Sequence, residues 1–267
     1  MPQSVVENMP WDDAWHLDHS RRRVAIAEMG QQEKVIRDTV ERATQRDIFA
    51  VLKGWRNELY PIRGHNDTME KTISLERAAS PLFGINTYGV HMTAYLNTPE
   101  GLKIWVPRRA KSKQTYGGML DNTVAGGLST GEKPFECVIR EAAEEASFPE
   151  HLARLRMKPC GTVSYVHVRD KRAGGETGLI QPECQYIYDI EVDADVVPKP
   201  GDNEVEAFYL WTVDEVKNAL ADGQFKPNCA VVLLDFFIRH GILTAENEPD
   251  YLEIASRIHR RLPFPTS

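Results

Sequence analysis

The chain has 267 residues, 42% hydrophobic and 27% charged, with a formal net charge of −7. That supplies enough apolar mass for a sizeable core in one large or two smaller domains, and the acidic balance argues against a nonspecific nucleic-acid or membrane-surface binder, since both need basic patches. Met1–Pro10 has no basic stretch leading into an apolar run, and the most apolar stretch, Cys229–Ile238, is short and interrupted by Asp235, so a cytoplasmic protein without a membrane span is expected.

Along the chain, the first ten residues read as loose, and Trp11–His19 mixes aromatic and acidic side chains. Arg21–Lys53 carries apolar residues at helical spacing, among them Val24, Ile26, Val35, Ile36, Val40 and Phe49, which predicts one or two helices broken at Gly30. A connection follows at Tyr60–Gly64, then a short helix at Glu76–Ala79 and a turn at Pro81–Gly84. From Tyr88 the pattern changes: strands are expected at His91–Leu96, Ile104–Val106, Gly161–Val168, Gln185–Val192 and Glu206–Thr212. Helices are expected at Glu136–Ser147, Val213–Asp222 and Asn228–His240. Strands and helices in short alternation predict an α/β sandwich, with residues 1–86 as a smaller N-terminal α/β region and 87–267 as the main domain. The four cysteines, Cys137, Cys160, Cys184 and Cys229, lack CxxC spacing, so buried thiols are expected rather than a disulfide framework or a zinc site.

The chemistry concentrates at Gly126–Phe148. Glu141, Glu144 and Glu145 stand at i, i+3 and i+4 of a predicted helix, which brings three carboxylates to one face. Like charges at that spacing cost stability, and hard divalent cations, which prefer oxygen ligands, offset the cost. A solvated acidic helix face is the simpler alternative. It does not, however, require a Gly-Gly turn and an arginine in fixed register. Gly126, Glu132, Arg140, Glu141, Glu144 and Glu145 resemble the Nudix box, G-x5-E-x7-R-E-U-x-E-E-x-G-U, in six charged or glycine positions, a match expected by chance on the order of 10⁻⁵. Two positions depart from it: Ser147 replaces glycine, and Ala142 is a small apolar residue.

The resemblance implies an α/β/α sandwich with a mixed sheet, catalytic Mg²⁺ or Mn²⁺, and a small-molecule diphosphate substrate. By register it makes Glu144 and Glu145 the main metal ligands, with Glu141 as a further ligand and the Gly126 carbonyl in the metal shell. Glu132 and Arg140 become a structural ion pair. The general base is left between the box and Glu204 or Glu206, which read equally well as plain loop carboxylates. Metal-dependent hydrolysis then needs neutralised phosphoryl oxygens and an activated water.

Further segments extend the resemblance. Trp55–Tyr60, Glu76–Ala79, Pro81–Ile85, Tyr88–His91, Trp105–Arg109, Gly118–Gly127, Phe225–Ala230 and Asp235–Gly241 are similar to fungal and plant proteins related to the Nudix portion of fungal thiamine pyrophosphokinase. This implies hydrolysis of thiamine diphosphate, or of its oxidised analogues, to a monophosphate and phosphate. Gly118 stands where that subfamily has proline, and Asn203 where it has glycine. Arg108, Arg109, Lys111 and Lys113 form a basic cluster suited to a diphosphate, and Tyr116, Trp105 and Trp211 are candidates to stack on a ring, core packing being the better reading for each. His91 and His240 are candidate ligands better read as buried histidines, and Asp121 and Asn122 suit turn hydrogen bonds. Alternatives are a diphosphatase for a prenyl diphosphate and a catalytically silent binding module. A homodimer through the apolar N-terminal helix face competes with packing of that face on the catalytic domain, the preferred reading.

Overall fold

A computed structural model describes residues 1–28, 30–64, 72–263 and 265–266. Among these, the chain runs α1 (Gln3–Asn8), β1 (Trp15–Asp18), β2 (Arg23–Ile26), α2 (Gln32–Gln45), β3 (Leu59–Ile62), β4 (Ile73–Glu76), α3 (Ser80–Phe83), β5 (Thr87–Thr98), β6 (Gly101–Arg109) and β7 (Val124–Gly127). It continues through α4 (Pro134–Ala146), α5 (Glu150–Arg156), β8 (Lys158–Val168), β9 (Ile180–Glu191), β10 (Val205–Thr212), α6 (Val213–Ala221), α7 (Pro227–Arg239) and α8 (Tyr251–Ile258).

Six strands form one mixed sheet in the order β10-β6-β5-β9-β8, with β7 beside β5. The long β5 has a divided edge. Its first half pairs with β7 (Gly89 opposite Gly127) and its last residues with β6 (Tyr95 opposite Ile104). Its other edge runs parallel to β9, with Thr87 opposite Glu183 and Gly89 opposite Gln185. Strand alternation sorts the side chains. Tyr88, Val90, Met92 and Ala94 face α4 and α5, whereas Tyr95, Ile104 and Val106 pack against α6 and α7. Helices therefore cover both faces, giving the expected α/β/α sandwich with a mixed sheet.

The N-terminal region departs from the helical reading of Arg21–Lys53. Val24 and Ile26 alternate with exposed neighbours and form β2 against β1, and Arg22 turns the hairpin at φ 51°. Period two wins there over period 3.6 because the half-buried Val24 and Ile26 share a face only in a strand, from which Ile26 packs on the N-terminal core. Helix begins after Gly30 and ends at Gln45. Residues 50–54 form only a 3₁₀ turn. The loose N-terminus is instead helix α1, anchored by buried Val5 with Met9 just after it. Leu59–Ile62 is a strand paired with β4 rather than a connection, and α5 and α8 were not anticipated. The apolar face of α2 (Ile36, Val40, Ala43) packs within this region on Leu75 and Leu82, with Leu179 arriving from the main sheet.

Candidate functional site

Helix α4 packs Cys137, Val138, Ile139, Ala142 and Ala146 into the core, so its box glutamates lie along the opposite stripe and its border. The helix ends at Ser147, which occupies the left-handed region at φ 53°, while the Phe148 amide reaches back to the Ala142 carbonyl at 3.0 Å. This is the cap that the box glycine normally makes, accomplished by serine at some conformational cost. The chain before β10 seals the same end: the Gly201 amide donates to Glu145 O at 3.2 Å, and a Cβ at 201 would stand 2.2 Å from Glu144 O.

Glu145 is buried and accepts a hydrogen bond from the Ala125 amide at 3.0 Å. Burial pushes its carboxyl up to about 8, and the neighbouring Glu141 and Asp121 charges add to the shift. Glu141 is also raised by burial, against the pull of Arg140 at 3.0 Å. Its carboxyl lies over Gly126, where a Cβ would come within 2.3 Å of it. Glycine at 126 therefore makes room for the carboxylate, and Gly89 leaves the Gly126 carbonyl oxygen unobstructed, 2.7 Å from where a Cβ would stand. Glu144 is more exposed and bonds Arg140 at 2.9 Å. Arg140 also donates to Glu132 through Nε at 3.0 Å and Nη2 at 3.3 Å.

Crowded, half-desolvated carboxylates over a glycine strand suit a hard divalent cation, whose charge would oppose the upward shifts of Glu141 and Glu145. A second group meets a spacing criterion for a metal: ligand atoms of buried His91, Asp121 and Cys229 lie within 4.8 Å of one another. Its members already satisfy one another. Asp121 accepts from Arg109 at 2.5 Å, from the Cys229 thiol at 2.6 Å and from the Asn122 amide at 2.9 Å, and His91 Nδ1 pairs with Asn122 at 2.8 Å. Burial opposes it, but Lys226 and Arg109 hold Asp121 well below the usual carboxylate range; burial, with Lys226 adding to it, pushes His91 down to about 4. A guanidinium and a thiol proton thus take the place an ion would need, so the box is the better fit.

Glu204 is half-buried and contacts Lys113, with Arg56 at 3.7 Å. Against burial, which raises it, Lys113 and Arg56 hold its carboxyl down, and burial pushes Lys113 down in turn. Glu206 is exposed at a bulge in β10. Among the sequence candidates, then, Lys113 and Glu204 meet near Glu145, and Glu206 does not join them.

A cavity of about 540 Å³ opens between the N-terminal region and the main sheet. Tyr116 lines it, held at φ 52°. Arg108, Arg109, Lys111 and Lys113 do not. Arg108 bonds the Gly118 carbonyl at 2.8 Å, and Arg109 is committed to Asp121 and the Thr115 carbonyl. Five other cations line the cavity: Lys53, Arg56, Arg77, Arg169 and Lys226. Lys226 precedes the first turn of α7, and its ammonium bonds no described residue. Arg56, Arg77 and Lys226 lie in segments that carry the resemblance, but nothing local marks the five as cavity cations; they converge only through the fold. Trp105 is in the core, Trp211 stacks on Tyr209 at 5.7 Å, His240 pairs with Asp189 at 2.9 Å, and Gly118 turns at φ 77°, which proline cannot adopt.

The family description "NUDIX domain" matches residues 87–229, more than half of the chain. The chain belongs to the Nudix family. It is a Nudix hydrolase, of a family that generally uses divalent metals and cleaves diphosphate-linked substrates. "Domain of unknown function (DUF4743)" matches residues 11–87. The chain is 39% identical to the uncharacterized protein YJR142W of Saccharomyces cerevisiae over 96% of its own length and 76% of the yeast protein. It is 37% identical to Nudix hydrolase 20, chloroplastic, of Arabidopsis thaliana over 79% of its length, spanning 54% of that relative. The crystal structure of DR0079 from Deinococcus radiodurans is similar at a TM-score of 0.43 and 21% identity, over 63% of this chain and 91% of that one. No helix among the described residues is long and apolar enough to cross a membrane.

Proposed function

We propose that this Nudix hydrolase converts a small organic diphosphate, thiamine diphosphate or its oxidised analogues, into the monophosphate and phosphate. The observation that carries this reading is the juxtaposition of a cationic cavity with the glutamate face. Ala125, Gly126 and Gly127 line the cavity, while the Ala125 amide bonds Glu145 and the Glu141 carboxyl lies over Gly126. Lys226 would hold phosphoryl oxygens, with Arg77, which also bonds Glu58 at 2.8 Å, adding positive charge from the same cavity, and Arg56 and Lys113 hold the Glu204 carboxyl down nearby. Glu141, Glu144, Glu145 and the Gly126 carbonyl would hold Mg²⁺ or Mn²⁺, which would neutralise charge on the diphosphate and acidify a water. Glu204 fits a proton acceptor better than exposed Glu206 by position alone, being half-buried beside Lys113 and Arg56, the same cations that hold its basicity down. A prenyl chain in this cavity would lie against Glu183, Gln185 and Arg169, polar groups that it cannot satisfy.

The test is a panel of thiamine, nucleotide, sugar and prenyl diphosphates with Mg²⁺, scored by released phosphate and pyrophosphate. Phosphate release from the thiamine compounds is expected. Turnover restricted to prenyl substrates overturns the substrate assignment.

A further inference from the structure

Among the described lining residues the cavity holds five Lys or Arg side chains and a single carboxylate, Glu183. Glu183 and Gln185 stand at alternate positions of β9, so both point to the cavity face, and β8 sets Tyr165 and His167 beside them. Tyr165 donates to Glu183 Oε2 at 2.5 Å, and Gln185 Nε2 donates to the same oxygen at 2.9 Å. The other oxygen, Oε1, has no donor within hydrogen-bond distance among the described residues; His167 Nδ1 stands 4.0 Å away. Gln185 is 5% exposed, and its Oε1 is buried with no hydrogen-bond partner, facing Gly89 across the strand pair. The Gln185 oxygen is thus fixed in place, buried and unmatched, which costs free energy until a donor arrives, and Glu183 Oε1, bonded by no described donor, is the charged acceptor beside it. Among the described residues no Lys or Arg pairs with Glu183, although cations surround the cavity.

The strand register sets the distance. Gly127, Gly89 and Gln185 are opposite one another on β7, β5 and β9, so Gln185 lies two strand spacings, about 10 Å, from the glycines beneath the box. A molecule with a diphosphate at one end and a nitrogen heterocycle at the other spans that length.

We propose that Glu183 and Gln185 form a specificity subsite that reads an N–H donor edge, an amino-substituted nitrogen heterocycle, on the non-phosphate end of the substrate. This rests on the reading that a diphosphate enters the cavity. Tyr165 acts as a positioning residue that holds the Glu183 carboxylate.

The test is equilibrium binding by calorimetry in EDTA, where no hydrolysis is needed, with thiamine diphosphate as the amino-heterocyclic probe and dimethylallyl diphosphate as the probe without N–H donors. Wild type is expected to bind the first at least tenfold tighter, and Glu183→Gln to remove at least tenfold of that ratio. Equal affinities in wild type, or an unchanged ratio in Glu183→Gln, overturn the subsite. Should Glu183→Gln fail to fold, Tyr165→Phe carries the test with an expected three- to tenfold loss of the ratio, and no loss overturns the proposal. A wild type that discriminates between the probes yet hydrolyses neither with Mg²⁺ supports the subsite and overturns the substrate reading above.

Discussion

Replacing Glu145 with glutamine separates two consequences of burying one carboxylate. Glu145 is moved from 4.5 to about 8, chiefly by burial. Between those values the folded protein binds more protons than the unfolded chain, so metal-free stability must fall as pH rises through this window. At about 1.4 kcal/mol per unit, the penalty at pH 7 reaches about 3 kcal/mol, a large part of a typical domain's stability. Glutamine keeps the shape and the acceptor for the Ala125 amide and carries no charge. Urea unfolding in EDTA should therefore show Glu145→Gln close to wild type at pH 5 and about 3 kcal/mol more stable at pH 7. Mg²⁺ should stabilise wild type far more than the variant, and the variant should be inactive. Parallel pH profiles for the two proteins, or near wild-type turnover in the variant, would refute the reasoning.

Three further outcomes are expected. Gly126→Ala places a methyl 2.3 Å from the Glu141 carboxyl; displacement of that group should lower kcat at least a hundredfold, with a fold cost of about 1–3 kcal/mol, read by kinetics and urea unfolding. Ser147→Gly relieves a left-handed serine and should stabilise by about 0.5–1 kcal/mol without changing kcat, seen as a raised Tm. Lys226→Met removes a cavity cation with no hydrogen-bond partner among the described residues and should raise KM about tenfold, more than it lowers kcat; an unchanged KM would take Lys226 out of the site.

The Nudix box was legible in the sequence because its information is local. Glu141, Glu144 and Glu145 share a face by helical periodicity alone, and Glu132 and Arg140 meet by their register around one turn and one helix. Five strands of the main sheet were also legible in part, His91–Leu96 within β5 among them, whereas β7, short and glycine-ended, shows itself only by pairing with β5. Short segments were not. Val24 and Ile26 fit either period until β1 is present to pair with them, and Leu59–Ile62 becomes a strand only against β4. The basic residues show the same limit more sharply. Arg109 looks like a phosphate ligand beside its cationic neighbours, yet burial leaves it no stable state except paired with Asp121. Arg56, Arg77 and Lys226, scattered along the chain, surround one cavity instead. Helical spacing thus put the carboxylates on one face, and the resemblance to the box supplied the family and, with it, the class of bond cut. Only the tertiary structure decided which cations and which acceptors face the substrate, because that depends on strand register and on which charges can find partners when water is excluded.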